Sequence, residues 1–165
     1  MDRETRKLKI QEKAERAKLQ TFADSILGAK RGPEFVPYTQ EQFFWQSQAI
    51  AQLSKYERVL TPTAIFQADA GREKLIEGLC SFLEEMGRRS FYLLPKWPRL
   101  IELQVIDWSD FYRSYIEATL SLDLTLLSTD GQLLIDGSLE ETTFELFIVK
   151  ERDIIPQENI GERRA

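Results

Sequence analysis

Asp123, Asp136 and Glu145 are the side chains of this sequence best placed to converge on shared chemistry. The first two lie within IEATLSLDLTLLSTDGQLLIDGS, residues 116–138. There Ala118, Leu120, Leu122, Leu124 and Leu126 alternate with Glu117, Thr119, Ser121, Asp123 and Thr125. Such alternation predicts a strand with one buried and one wetted face. Glu117 and Asp123 would stand roughly 20 Å apart on it, at about 3.3 Å per residue, too far for paired acid–base work. Asp130-Gly131 is the dipeptide of a tight hairpin. A two-residue turn there sets Leu126 against Ile135 and Thr125 against Asp136, which makes Asp136 the diagonal neighbour of Asp123, about 7 Å away. The next segment, TTFELFIVK, puts Phe144, Leu146 and Ile148 on the buried face and Glu145 on the polar one. Three such carboxylates can hold Mg²⁺ or Ca²⁺. The ordinary reading is a solvated sheet face, and it is the one adopted: no metal and no cofactor is expected, with Asp123, Asp136 and Glu145 the candidates for a cation.

Other chemistries are narrowed by what is missing. The 165 residues include no histidine, which removes Ser–His and Cys–His nucleophiles, imidazole metal ligands and the usual neutral-pH proton shuttle. The single Cys80 can form neither an internal disulfide nor a cysteine zinc site, and its place in an apolar helical stripe predicts a buried thiol. GREKLIEG, residues 71–78, offers a glycine near a helix start but matches neither phosphate-loop nor dinucleotide fingerprints, and Asp69 reads as a helix cap. The expectation is a non-catalytic protein. A carboxylate-dependent metal enzyme would need a deep pocket containing Asp123 and Asp136.

Charge is unevenly distributed. The net charge is −5, yet residues 1–32 carry nine Lys or Arg against five Asp or Glu. A basic arm with Arg3, Arg6, Lys7, Lys9, Lys13, Arg16 and Lys18 therefore precedes an acidic body. Such an arm suits an acidic protein or RNA, or else a solvated helix with internal pairs such as Glu12–Arg16. RRSFYLLPKWPRL, residues 88–100, sets Arg88, Arg89, Lys96 and Arg99 among Phe91, Tyr92 and Trp97. Basic groups beside aromatics can follow a phosphate backbone and stack bases. The alternative is a buried strand with arginines at the preceding helix end. Leu127, Leu134, Phe147 and Val149 fall on the face opposite the core, where helices, a second protomer or a partner must cover them.

The elements that position these residues are helical first. Residues 3–29 form one helix whose stripe of Leu19, Phe22, Ala23, Ile26 and Leu27 begins only in its second half. GAKRGPEFVP reads as a loop. Thr39 and Gln42 fit a capping box before Phe43, Phe44, Ile50, Ala51 and Leu53, with Trp45 and Tyr56 at the margin. LTPTAIFQ is either a short helix or an edge strand. Leu75, Ile76, Leu79, Cys80, Phe82, Leu83 and Met86 mark the clearest helix, closed by Gly87. Strands follow at 90–94 and 99–106, and DWSDF makes a helical turn capped by Asp107 or Ser109, or a corner.

The predicted class is α+β: about three N-terminal helices packed on one face of a C-terminal antiparallel meander of four to five strands. The organisation is a basic helical arm (1–32), a single α+β domain (33–153) and a polar tail (154–165) that frays or docks as a short peptide. This layout resembles the cone-like fold of the nuclear transport factor family; the resemblance is architectural, no motif residue carries it, and it implies no activity. No apolar run approaches the ~20 residues of a membrane span, and the amino terminus lacks the apolar centre of a signal peptide. With one cysteine, a cytoplasmic location is expected.

The function expected is binding of a protein partner. The chain would act as a subunit or assembly factor of a larger complex, or as an immunity-type inhibitor whose acidic body covers a basic protein. Partner-binding candidates are the seven arm cations together with Leu127, Leu134, Phe147 and Val149. The other reading is a nucleic-acid-binding accessory protein using the arm and Arg88, Arg89, Lys96, Trp97 and Arg99.

Overall fold

A seven-stranded antiparallel sheet, order β1-β4-β3-β5-β6-β7-β2, divides the apolar residues of this chain into two separate cores. The computed structural model describes residues 2–54, 60–95 and 99–156. Tyr56, Lys96, Trp97 and the tail beyond residue 156 lie outside them. In chain order the elements are α1 (Arg3–Ser25), β1 (Ala29–Pro37), α2 (Phe44–Leu53), β2 (Ala64–Gln67), α3 (Arg72–Met86), β3 (Ser90–Leu93) and β4 (Arg99–Val105). They continue with α4 (Trp108–Thr119), β5 (Leu124–Ser128), β6 (Leu133–Leu139), β7 (Thr143–Lys150) and a 3₁₀ turn, Glu151–Asp153.

The class is α+β, with four helices and seven strands among the described residues where about three and four to five were expected. Both extra strands are edges. β1 occupies the stretch read as a loop, so the boundary drawn at residue 32 falls inside a strand. Its pairing with β4 shifts between Arg31 and Phe35, and an interrupted edge is where Pro33 and Pro37 can sit without breaking a ladder. At the opposite edge β2 pairs with β7 through Ala64↔Leu146 to Gln67↔Thr143, which makes LTPTAIFQ a strand.

The helices cover both faces. Helices α1, α3 and α4 enclose the larger core with Phe91, Leu93, Ile101, Leu103, Leu126, Ile135, Phe144 and Leu146. Helix α2 closes the second face over Leu100, Leu127, Leu134, Phe147 and Val149. Thr39 caps the turn before it, accepting from the Gln42 N–H at 3.2 Å, although the helix proper starts at Phe44, whose ring is exposed while Phe43 is buried. Just after the 3₁₀ turn, Ile154 packs against this layer and Ile155 is buried. Gln52 donates to the Ile155 carbonyl at 2.7 Å and accepts from its N–H at 3.4 Å. Helix α3 holds the expected stripe, with Leu75, Ile76, Leu79, Cys80 and Leu83 buried and Gly87 in the left-handed conformation at its end. Gly71, not Asp69, is its N-cap.

The largest departure is α4, where a corner or single turn was expected and the long strand was placed from residue 116. Asp107 caps the helix by accepting from the Asp110 N–H at 2.9 Å. Trp108, Phe111, Tyr112, Tyr115 and Ile116 then recur at helical spacing and are all buried. The helix ends at Leu120, in the left-handed region at φ 56° and 90% exposed. Alternation in the sequence continued through residues 117–123 by coincidence of residue type. The buried stripe of α4 offers more apolar area than that half of a strand could bury.

The hairpin register came out as read: Leu126↔Ile135, Thr125↔Asp136 and Leu127↔Leu134. Asp130 organises its turn by accepting from the Ser128 hydroxyl (2.7 Å), the Gln132 N–H (3.0 Å) and Arg88 (2.8 Å). The Ser128 bond first, then Gln132 and Arg88, hold its carboxyl below the ordinary value of 3.8. A depressed folded-state value stabilises the fold above the ordinary aspartate range, and that contribution is lost as pH falls through the folded value. Asp130→Asn is therefore expected to lower the urea midpoint at pH 7, by less than about 1 kcal/mol because the group is solvent-screened. The deficit should shrink to nothing as acid protonates the wild-type carboxyl; a deficit constant with pH would contradict the assignment.

Candidate functional site

Two places on this fold gather polar groups: the outer half of α1 and the open end of the β5–β6 pair. Helix α1 packs through Leu19, Phe22, Ala23 and Ile26, while residues 3–18 are exposed throughout. At 1.5 Å per residue those sixteen positions project about 24 Å from the body. Asp2 caps the free end, accepting from the Thr5 N–H at 2.7 Å. At ~100° per residue, Glu4, Leu8, Glu12 and Glu15 continue the inward line of Leu19 and Phe22. Arg3, Arg6, Lys9 and Lys13 gather on the far side, with Lys7, Arg16 and Lys18 on the flanks. None of the seven cations forms an ion pair with the described residues, and the Glu12–Arg16 pair is not made.

Of the second basic candidate, Arg88, Arg89 and Arg99 can be placed, while Lys96 and Trp97 lie outside the described residues. Arg88 bonds Asp130 at 2.8 Å and Gln132 at 3.2 Å. Arg89 pairs with Glu84 and donates to the Val105 and Ile106 carbonyls. Phe91 is fully buried and Tyr92 packs edge-on against Phe43 in the second core. Arg99 is half-buried opposite Pro37 of β1. The Arg88 and Arg89 guanidiniums therefore hold the start of β3 to neighbouring elements, and of the described rings Phe91 and Tyr92 both pack into the cores.

Leu127, Leu134, Phe147 and Val149, expected to face a partner, are 0–3% exposed under α2. The cover comes from this chain itself. Cys80 is likewise interior: burial raises its thiol to about 11, the nearby Arg113 charge opposing weakly, so it is not a reactive nucleophile.

The carboxylates expected on one face do share it, without forming a metal cage. Asp123 accepts from the Leu139 N–H at 2.8 Å, and Asp136 accepts from the Thr125 hydroxyl at 2.8 Å. Glu145 lies a strand further on, paired with Ser138 and Ile65. Among the described residues no three of His, Cys, Asp and Glu come together as a metal site. Asp123 and Asp136 instead line a cavity of about 760 Å³ at the end of the sheet. Its polar wall is Tyr115, Thr119, Ser121, Thr125 and Ser138; its apolar wall is Ile50, Leu53, Leu94 and Pro95. Sequence reasoning missed Tyr115, Thr119 and Ser121 as lining groups of one cavity because it took residues 116–123 for strand. The signal that would have found them is the Asp107 cap followed by aromatics at 108, 111, 112 and 115.

Tyr115 and Tyr112 fasten this wall. Their hydroxyls donate to the carbonyls of Asp123 at 2.7 Å and Leu122 at 2.5 Å, joining α4 to the start of β5. Burial, then the charges of Asp123 and Asp136, pushes the Tyr115 phenol up to about 12. Burial, with the neighbouring phenol and carboxylate charges, raises Tyr112 further. Both phenols stay protonated as hydrogen-bond donors and are unsuited to general-base work.

No protein-family model, curated protein or solved structure matches this chain, so the likeness to the cone-like fold gains nothing from comparison. No described helix is long and apolar enough to cross a membrane.

Proposed function

We propose that this chain is a non-catalytic binding protein, a subunit or assembly factor that docks an acidic protein surface along the projecting half of α1. The observation that carries the reading is the bare basic face of that helix: sixteen exposed residues whose cations have no partner among the described residues. A helix of this length without tertiary contacts is marginal on its own, so a surface that neutralises its outer face would also stabilise it. The acidic stripe of Glu4, Glu12 and Glu15 sets orientation, because only one side of the arm attracts an anionic surface. Nucleic acid is the second reading. It rests on the arm alone, since Arg88 and Arg89 are occupied within the fold.

The test compares a fluorescent acidic polypeptide, poly-glutamate, with a single-stranded RNA oligonucleotide at two salt concentrations. Wild type is expected to bind poly-glutamate more tightly than RNA, with affinity falling as salt rises. The triple variant Arg6→Glu, Lys9→Glu, Lys13→Glu should lose at least about tenfold, or about 1.4 kcal/mol. Its urea midpoint should be unchanged because Arg6, Lys9 and Lys13 are exposed and form no ion pair with the described residues. Binding that survives the reversals removes the arm from this role, and preference for RNA moves the conclusion to the second reading.

A further inference from the structure

The projecting half of α1 is two-sided, and its two sides complement one another. Leu8 and Ile10 are the large aliphatic residues of this half, 61% and 62% exposed. Two steps along a helix turn about 200°, so they stand on nearly opposite sides. Residues three, four or seven positions apart share a side. Leu8 has Glu4 four residues before it, Glu12 four after and Glu15 seven after. Ile10 has Arg3 seven before, Arg6 four before and Lys13 three after. One side is therefore an aliphatic group among carboxylates, the other an aliphatic group among cations. All of these residues are exposed, and none of the charged ones forms an ion pair with a described residue. Glu15 accepts only from the Gln11 side chain, at 3.5 Å.

The order of the charges points to a particular alignment. Two antiparallel helices set a residue after the contact in one against the residue equally far before it in the other. With Leu8 of one copy against Ile10 of a second, Glu12 meets Arg6 and Glu15 meets Arg3. Glu4 comes within one position of Lys13. Each carboxylate of one side thus faces a cation of the other in a single register. A parallel alignment on the same contact leaves Glu15 against Ala17. It also carries the second helix on into the space where Leu19 and Ala23 are buried against the body. The antiparallel neighbour ends short of Leu19, and its own body lies beyond the amino end of the first helix. Like sides do not pair, since Ile10 against Ile10 crowds cations and Leu8 against Leu8 crowds carboxylates.

We propose that the Ile10 side of α1 docks antiparallel on the Leu8 side of α1 in a second copy of this chain. The inference rests on the reading that the arm binds an acidic protein surface, and it names that surface. Because unlike sides join, each added copy leaves one side of either kind open, and the assembly does not close.

The test is sedimentation of the full chain from about 20 µM to about 1 mM, a range suited to exposed ion pairs that are individually weak. Wild type is expected to grow beyond the monomer with concentration at about 20 mM salt and to return to monomer at about 0.5 M, where charges are screened within a few ångströms. Two triple variants with neutral, helix-compatible side chains separate the sides. Arg3→Gln, Arg6→Gln, Ile10→Gln removes the cationic side; Leu8→Gln, Glu12→Gln, Glu15→Gln removes the acidic one. Each alone should stay monomeric. An equimolar mixture should form a 1:1 complex that grows no further, because only one pair of unlike sides remains. The acidic-side variant should still bind poly-glutamate at least as tightly as wild type. The inference is overturned if wild type is monomeric up to about 1 mM at low salt, the limit of about 4 kcal/mol of affinity. It is equally overturned if either variant alone assembles as wild type does, or if the mixture stays monomeric. A monomeric chain that binds poly-glutamate strikes this inference and leaves the wider role of the arm standing; assembly without poly-glutamate binding does the reverse.

Discussion

Replacing Gly28 by alanine is expected to cost about 3–5 kcal/mol, the sum of left-handed backbone strain and forced displacement of packed backbone. Gly28 lies between α1 and β1 with φ +69°. Its carbonyl accepts from the N–H groups of Ile106 (2.7 Å) and Asp107 (2.9 Å), at the point where β4 hands over to α4. A Cβ there would stand 2.6 Å from the Asp107 carbonyl oxygen and 2.6 Å from the Phe111 nitrogen. Both are backbone atoms at the start of α4, so neither can swing aside. Gly87 is the control. Its φ is +73° but nothing lies within 4 Å of an added Cβ, so Gly87→Ala should cost only about 1 kcal/mol. Urea denaturation of the two variants separates the terms. Equal losses would mean that the close approach of Gly28 to α4 is not what the position requires.

Phe147→Ala is expected to destabilise by about 3–4 kcal/mol, the usual cost of emptying a large buried aromatic site. Phe147 is 1% exposed, paired with Asp136 across β6 and packed in the layer under α2. If this face were instead a free docking surface, truncation would change stability by no more than about 0.5 kcal/mol. Ile65, on the same face but at the sheet edge and 57% exposed, supplies that reference: Ile65→Ala should lie within the smaller range. A Phe147→Ala midpoint matching that of Ile65→Ala would mean that α2 does not cover the sheet in solution. The case for the chain burying its own second face would then fall.

These two positions also show where sequence reasoning reached and where it stopped. The two-faced character of the last three strands was legible: Leu126, Ile135, Phe144 and Leu146 on one side and Leu127, Leu134, Phe147 and Val149 on the other follow from the period of two and a hairpin turn at Asp130-Gly131. The stripe of α3 and the stop at Gly87 were equally local. What covers the second face was not, because α2 reaches it from a part of the sequence about seventy residues or more before the last three strands, and periodicity carries no information about such distances. The exposure of the basic arm followed from its lack of an apolar stripe, whereas the occupation of Arg88 and Arg89 depended on Asp130, Glu84 and two carbonyls that only folding brings near.

The sequence by itself determined the class of the fold, the hairpin register, the charge asymmetry between arm and body, and the absence of imidazole chemistry. All of these reside in neighbouring residues or in composition. Tertiary structure alone decided that β1 and β2 become edges, that residues 108–119 coil into α4, and that Asp123 and Asp136 line a cavity between α4, the sheet end and α2. The physical reason is that apolar area is buried by whichever partner is available, and the partner of a segment is set by the whole chain. The same run of alternating residues can supply the end of a helix and the beginning of a strand once Trp108, Phe111 and Tyr112 have a core to enter.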